Sequence, residues 1–178
     1  MTDIELRIHP RLTAPVRRTL IEVYSDVRAP LLHLPNYAVT AFAGRLDRHS
    51  SEPGFEAVIG YDAGQPIGYA YGNTIEHGDP WWSRMSRPTP GQITARPTLA
   101  LKEIGVRTRW RGTGVARRIH DELLAGRSEE QVALMVNPAA GDGKVAALYQ
   151  AWGYEPVNEV RPTPEAPPLI VMIRPILS

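Results

Sequence analysis

Val106-Arg107-Thr108-Arg109-Trp110-Arg111-Gly112-Thr113-Gly114-Val115-Ala116 is the run on which the fold of this chain is decided. Upstream, Leu99-Ala100-Leu101-Lys102-Glu103-Ile104-Gly105-Val106 is the clearest strand in the sequence, with Gly105 placed to mark a bulge. Downstream, Val115, Ala116, Ile119, Leu123 and Leu124 share one helical face. Arg117, Arg118, Asp121 and Glu122 lie opposite, and Gly126 stops the helix. Two glycines therefore stand between a strand and a helix. Backbone N–H groups at such a turn point outward with the helix N-terminus behind them, which suits an anion such as phosphate. Glycine is needed where a Cβ would block close approach or where φ is positive. Arg107, Arg109, Arg111, Arg117 and Arg118 crowd the same turn, so the charge is placed rather than abundant. The plainer alternative is a β-to-α connection whose glycines only make the turn and whose arginines only solvate the surface.

The named phosphate motifs fit poorly. A P-loop around Gly143-Lys144 meets Pro138 where its first glycine belongs and Val145 after the lysine. A dinucleotide fingerprint at the first turn meets Arg117 in the third glycine position. Gly141-x-Gly143-x-x-Ala146 fits a looser form, but the 32 residues after Ala146 hold four linker prolines and cannot supply the rest of a Rossmann fold.

Outward from the turn, the chain is punctuated by 17 prolines and 15 glycines. Ile4 to Ile8 alternates as a first strand. Thr13 caps a helix with Pro15 in its first turn and a stripe of Val16, Leu20, Val23, Tyr24 and Val27. A second helix restarts at Pro35-Asn36 with Tyr37, Ala41, Phe42 and Leu46 as its stripe. Phe55–Tyr61 and Pro66–Ile75 form a hairpin across Asp62-Ala63-Gly64-Gln65. Glu76 to Thr98 has no period and four prolines, the pattern of a lid, a binding surface or a disordered stretch. Gln131–Val136 is a strand. Asp142 is placed to cap a helix carrying Val145, Leu148, Tyr149 and Trp152, which Gly153 ends. Two last strands, Tyr154–Val157 and Leu169–Ile173, flank a proline-rich linker. The order β-α-α-β-β-β-α-β-α-β-β predicts an α/β fold, with a mixed sheet of about six to seven strands and helices on both faces, as one domain over 1–178.

Composition narrows the function. Of 178 residues, 43% are hydrophobic and 22% charged, enough to bury a core. The net charge of +1 disfavours a nucleic-acid partner, although 18 of the 20 basic residues are arginine. No run approaches a membrane span and Met1-Thr2-Asp3 does not open a signal peptide, so the expectation is a cytoplasmic protein with no membrane partner. With no cysteine there is no disulfide, thiolate metal site or cysteine nucleophile, and no metal is expected.

The run from Val106 to Ala116 resembles motif A of the GNAT superfamily of acyl-CoA N-acyltransferases, Gln/Arg-x-x-Gly-x-Gly/Ala, which Arg111-Gly112-Thr113-Gly114-Val115-Ala116 satisfies. Leu148-Tyr149-Gln150-Ala151-Trp152-Gly153-Tyr154 resembles the family's Leu-Tyr-x-x-x-Gly-Phe motif, and the element order agrees from Ile4 to Ile173. The resemblance implies a GNAT-like fold and acetyl-CoA as co-substrate. The amides of Arg111, Gly112, Thr113, Gly114, Val115 and Ala116 would cradle its pyrophosphate, with the Thr113 hydroxyl in support. It also implies a parallel strand pair, Leu99–Val106 and Gln131–Val136, that splays so that backbone near Ile104 and Val106 can bind the pantetheine arm. Asn137 and Asp142 are further cofactor contacts, although the family often has Asn at the latter place and a small Ala where Val145 stands.

Tyr149 matches the family's general acid, which protonates the departing thiolate; a packed core tyrosine is the alternative. Direct transfer needs a base for the amine proton. Glu103 is the strand-borne candidate, though the family's bases commonly match Ala100 or Lys102, which would leave Glu103 on the other face. Glu76, His77 and Asp79 begin the long loop and offer substitutes. Trp81 and Trp82 would wall the acceptor or else anchor the loop; His120 reads as helix packing. The resulting expectation is an N-acetyltransferase that moves an acetyl group from acetyl-CoA to a primary amine of a small molecule or peptide within a ternary complex, as a monomer or homodimer. The alternative is a non-catalytic acyl-CoA-binding sensor or interaction module.

Overall fold

The computed structural model describes residues 3–176. Met1 and Thr2, on which the expectation of no leader partly rests, lie outside the described residues. The chain runs β1 (Ile4–His9), α1 (Ala14–Val27), α2 (Val39–Ser50), β2 (Glu56–Asp62), β3 (Gln65–Ile75), α3 (Pro80–Ser83), α4 (Gly91–Thr94), β4 (Thr98–Val106), α5 (Val115–Leu124), β5 (Gln131–Val136), α6 (Lys144–Ala151), β6 (Glu155–Val160) and β7 (Leu169–Pro175). The seven strands form one mixed sheet in the order β1-β2-β3-β4-β5-β7-β6. With the one-turn α3 and α4 set aside, the order of elements is the expected one. The chain divides into two compact units, Met1–Asn73 with Leu101–Arg127, and Thr74–Ala100 with Ser128–Ser178.

In the first unit, α1 forms where Thr13 accepts from the Val16 N–H at 3.4 Å and a proline sits in the first turn. Its buried stripe is the predicted one, Val16, Leu20, Val23, Tyr24 and Val27. The second helix starts later than expected: Pro35–Tyr37 is a 3₁₀ turn, and α2 begins at Val39 with Phe42 and Leu46 buried. Tyr37 therefore leaves the α2 stripe, and its carbonyl accepts from the Tyr24 hydroxyl at 2.9 Å. Tyr24 and Phe42 stack with centroids 3.8 Å apart, against Ala57, Ile59, Tyr69 and Tyr71 on the sheet. The other face takes α5. A Cβ on Gly68 would come within 2.9 Å of Ile119 Cδ1, so this glycine lets the helix approach the strand.

In the second unit β5 pairs antiparallel with β7 over six positions, and β4 pairs parallel with β5 at Thr98–Gln131, Leu99–Val132 and Ala100–Ala133. Among the described residues the parallel ladder has these three pairs. The segment expected as an aperiodic loop contains α3 and α4 and is fastened to β6. Ser86 N–H donates to the Glu159 carbonyl at 2.8 Å, and Asn158 Nδ2 donates to the Arg87 carbonyl at 2.8 Å and to Thr89 Oγ1 at 2.9 Å. Two expectations at α6 are corrected. Asp142 does not cap it: Gly141, Asp142 and Gly143 are all left-handed, Gly143 is the N-cap, and no side chain caps the helix. Leu148 is 45% exposed rather than part of the buried stripe.

Candidate active site

The turn after β4 is built by backbone chirality. Gly112 (φ +75°) and Gly114 (φ +85°) are left-handed, and a Cβ at either would meet no protein atom within 4 Å. Neither glycine is required by crowding; both are required by the bend, since a left-handed turn costs other residues roughly 1–2 kcal/mol. Gly114 is the N-cap of α5 and no side chain caps that helix. Among the described residues, no hydrogen bond uses the N–H of Gly112, Thr113, Gly114, Val115 or Ala116. Five adjacent donors at the positive end of a helix dipole are thus left to solvent or to an anion.

Arg111 differs from its neighbours. Its N–H donates to the Thr108 carbonyl at 3.1 Å. Its side chain donates from Nε to the Val106 carbonyl at 3.0 Å and from Nη2 to the Val27 carbonyl at 3.3 Å, tying the end of α1 to the end of β4. The Thr113 hydroxyl donates to the Trp110 carbonyl, so this residue has its N–H rather than its side-chain proton to offer a phosphate.

The crowd of arginines is largely spent on the protein itself. Arg107 donates to the Pro66 carbonyl, Asp26 and Glu22, Arg117 pairs with Asp121, and Arg118 reaches the Ile4 carbonyl. Arg109 lies over the Trp110 ring at 5.1 Å, is exposed, and makes no ion pair among the described residues. The expectation of charge gathered around the turn narrows to this one guanidinium. His120 is fully buried on α5, as its packing reading predicts.

Glu103 sits on β4 just before the turn and faces α1 and α2. Arg28, the C-cap of α1, and Arg45 on α2 flank it, with Arg28 Nη2 to Oε2 and Arg45 Nη2 to Oε1 both at 3.8 Å. Its side chain is 16% exposed. Burial pushes its carboxyl above the ordinary range, outweighing the two guanidiniums that pull it down. Gly105, two residues on, shows why the strand is bare there: a Cβ would lie 3.0 Å from Val27 Cγ1 and 3.3 Å from the Tyr69 ring. This close approach is reason enough for the glycine.

The carbonyls of Ile104 and Val106, expected as pantetheine contacts, each receive an arginine: Arg28 Nη2 at 3.5 Å and Arg111 Nε at 3.0 Å. A carbonyl has a second lone pair, so each keeps some accepting capacity. Around Glu103 stand residues that periodicity did not single out as functional. Tyr69 is fully buried with no hydrogen-bond partner for Oη. Tyr71 Oη lies 3.1 Å from His49 Nδ1, and burial depresses the His49 imidazole to about 4.

In the second unit, Tyr149 is 9% exposed, its ring edge-on to Trp152 and Tyr154 at 5.7 and 5.6 Å. Asn137 Oδ1 accepts from the Ala139 N–H at 2.9 Å, turning the chain after β5, and Asp142 is exposed in the left-handed turn before α6. Glu76 and His77 are exposed after β3. Trp81 is buried at 6% exposure among Ile75, Ala100, Ala133, Val160 and Val171, with Trp82 edge-on at 4.8 Å. Of the two readings for this pair, the loop-anchoring one describes Trp81.

No family model and no curated protein matches the chain. Solved structures do. A GNAT-family acetyltransferase from Streptococcus agalactiae is similar at TM-score 0.69 and 12% identity, over 100% of both chains. An acetyltransferase from Thermus thermophilus is similar at 0.65 and 18%, over 98% of this chain and 99% of that one. The ribosomal-protein-S18-alanine N-acetyltransferase of Escherichia coli is similar at 0.64 and 15%, over 98% and 96%. The chain has the fold of these acetyltransferases.

Proposed function

We propose, with the GNAT fold as premise, that this chain transfers an acetyl group from acetyl-CoA to a primary amine of a small molecule or peptide by direct attack. The observation that carries the reading is the row of five unspent N–H groups, Gly112 to Ala116, at the start of α5. It is a cradle for a pyrophosphate built from backbone, with Arg109 beside it. The chemistry requires a neutral amine: its nitrogen bonds to the acetyl carbonyl carbon, the carbon–sulfur bond breaks, and one proton leaves the nitrogen. Glu103, with a raised carboxyl pKa, is the base that takes this proton, directly or through water. Tyr149 carries the family's role of proton donor to the departing sulfur, an assignment that rests on its motif. With no cysteine in the chain, an acyl-cysteine route has no nucleophile.

One similar solved structure, the NatC complex, is described as bound to Gag peptide and CoA, and another acts on an alanine of a ribosomal protein. These support amines of peptides as acceptors beside small amines. The test is calorimetry with acetyl-CoA followed by thiol release across an amine panel. Binding with amine-dependent thiol release is expected; binding without it favours an acyl-CoA sensor module. Preferential binding of ATP over CoA would overturn the assignment of the turn. A Tyr149→Phe protein that keeps full kcat would remove Tyr149 from the mechanism.

A further inference from the structure

The arginine–carboxylate pairs of the first unit fall into two kinds. Arg7–Glu5, Arg17–Asp47 and Arg107–Asp26 close to 2.8 Å, and Arg107–Glu22 and Arg117–Asp121 to 3.0 Å, all with carboxylates about half exposed or more. Glu103 is the reverse case. It is the most buried of these carboxylates, yet both of its arginines stop at 3.8 Å, beyond hydrogen-bond distance. Each arginine therefore holds it as a loose ion pair rather than through a short hydrogen bond. A largely buried carboxylate held only by loose ion pairs is costly to keep, and Tyr69 Oη, within electrostatic range of Glu103 and Arg28, is buried without a hydrogen-bond partner. The arginines are only partly engaged. Arg28 gives one N–H to the Ile104 carbonyl at 3.5 Å and Arg45 one to the Asn36 carbonyl at 2.8 Å, and their side chains remain 31% and 28% exposed.

We infer that this cluster is the acceptor subsite and that the acceptor is an amino-carboxylate. Its amine donates to Glu103, while its carboxylate is taken by the guanidiniums of Arg28 and Arg45. The inference rests on the acetyl-transfer reading above and names the class of amine. Two guanidiniums against one carboxylate leave one positive charge, which an acceptor anion neutralises and a second ammonium aggravates. Guanidinium is also the group that matches a carboxylate in two-point geometry. Polyamines and unmodified lysine-like amines are disfavoured by the same charge.

The test is calorimetry on the full chain, with and without acetyl-CoA. The probes are L-alanine and L-glutamate, the dipeptide amide Ala-Glu-NH₂, the neutral controls L-alaninamide and Ala-Gln-NH₂, and spermidine. An amino-carboxylate is expected to bind about tenfold or more tightly than its neutral control, with spermidine weakest. Tight free amino acids identify a small-molecule acceptor, whereas tight Ala-Glu-NH₂ identifies an acidic peptide. Arg45→Gln is expected to abolish the preference while acetyl-CoA affinity stays within about twofold. Arg28→Gln should also abolish the preference, but since Arg28 holds the Ile104 carbonyl the unchanged acetyl-CoA affinity is required of Arg45→Gln only, which decides alone if Arg28→Gln unfolds the chain. Equal binding of acid and amide, tighter spermidine, no probe binding, or a preference surviving in Arg45→Gln would each overturn the proposal. Amino-carboxylate binding in a chain that fails to bind acetyl-CoA would leave the subsite standing and remove the acetyl-transfer reading instead.

Discussion

Glu103 concentrates the chemistry into one side chain, and its environment sets a pH signature. Its carboxyl titrates above the ordinary value because burial outweighs Arg28 and Arg45. As a base it works only when ionised, so kcat/KM is expected to fall with acidity through a pKa above the ordinary carboxylate range. Glu103→Gln should lower kcat by about 10²-fold and erase that limb of the profile; an unchanged profile would assign the proton to another group. His49 predicts a separate effect on stability. Its imidazole titrates near 4 when folded, first through burial and then through Lys102, Arg48 and Arg45, against an ordinary value of 6.5. A base depressed in this way stabilises the fold fully above 6.5 and loses that contribution as pH falls toward 4. Thermal midpoints should drop across that window in the native chain and drop less in His49→Phe. At this scale the sequence was half legible. Glu103 stood out as a charge on a buried strand, but Arg28 and Arg45 come from α1 and α2, and the alternation of β4 carries no information about what packs over it.

The turn between β4 and α5 was readable because a left-handed backbone leaves a mark in the amino acid: Gly112 and Gly114 are where glycine is required. Gly112→Ala tests what the turn is for. A Cβ there meets nothing in the protein, so stability should fall only by about 1–2 kcal/mol, while acetyl-CoA affinity by calorimetry should fall about tenfold or more from the displaced N–H groups. Equal acetyl-CoA affinity would return the glycines to a purely structural role. At α6 the same signal has another meaning. Gly141 and Gly143 bracket Asp142, all three are left-handed, and a side-chain cap is excluded by a backbone arrangement that periodicity does not register. The long loop hid α3 and α4 because a single turn has no period to detect. Its anchor, Trp81, carried two readings in the sequence, acceptor wall or loop anchor, and only the packing of its ring among Ile75, Ala100, Ala133, Val160 and Val171 favours the second. Trp81→Ala is expected to cost about 3–5 kcal/mol, read as a lowered thermal midpoint, with acceptor KM unchanged if the ring's role is packing.

For the molecule as a whole, the order of elements was legible throughout, because strands and helices alternate with proline and glycine between them. What composition could not reveal is where the arginines spend their charge. A near-neutral chain with 18 arginines uses Arg107, Arg111, Arg117 and Arg118 as internal ties to carbonyls and carboxylates. Arg109, exposed over Trp110, is left beside the turn to meet an anion. The absence of cysteine has a kinetic counterpart at this scale. Initial rates with both substrates varied should give intersecting double-reciprocal lines, as a ternary complex requires, and parallel lines would overturn direct transfer.

The fastening of the Ser86–Thr89 segment reaches beyond the site. β6 ends the sheet order, and an open edge strand is a template onto which another polypeptide can add. Here the Glu159 carbonyl already holds the Ser86 N–H, Asn158 is bonded to Arg87 and Thr89, and Pro88 and Pro90 on the covering segment have no N–H to give. The segment that reads as a lid or binding loop is thus bonded along β6 and covers part of that strand. Shortening it to streamline the protein for crystallisation or engineering is expected to uncover part of β6 and raise self-association, read by light scattering.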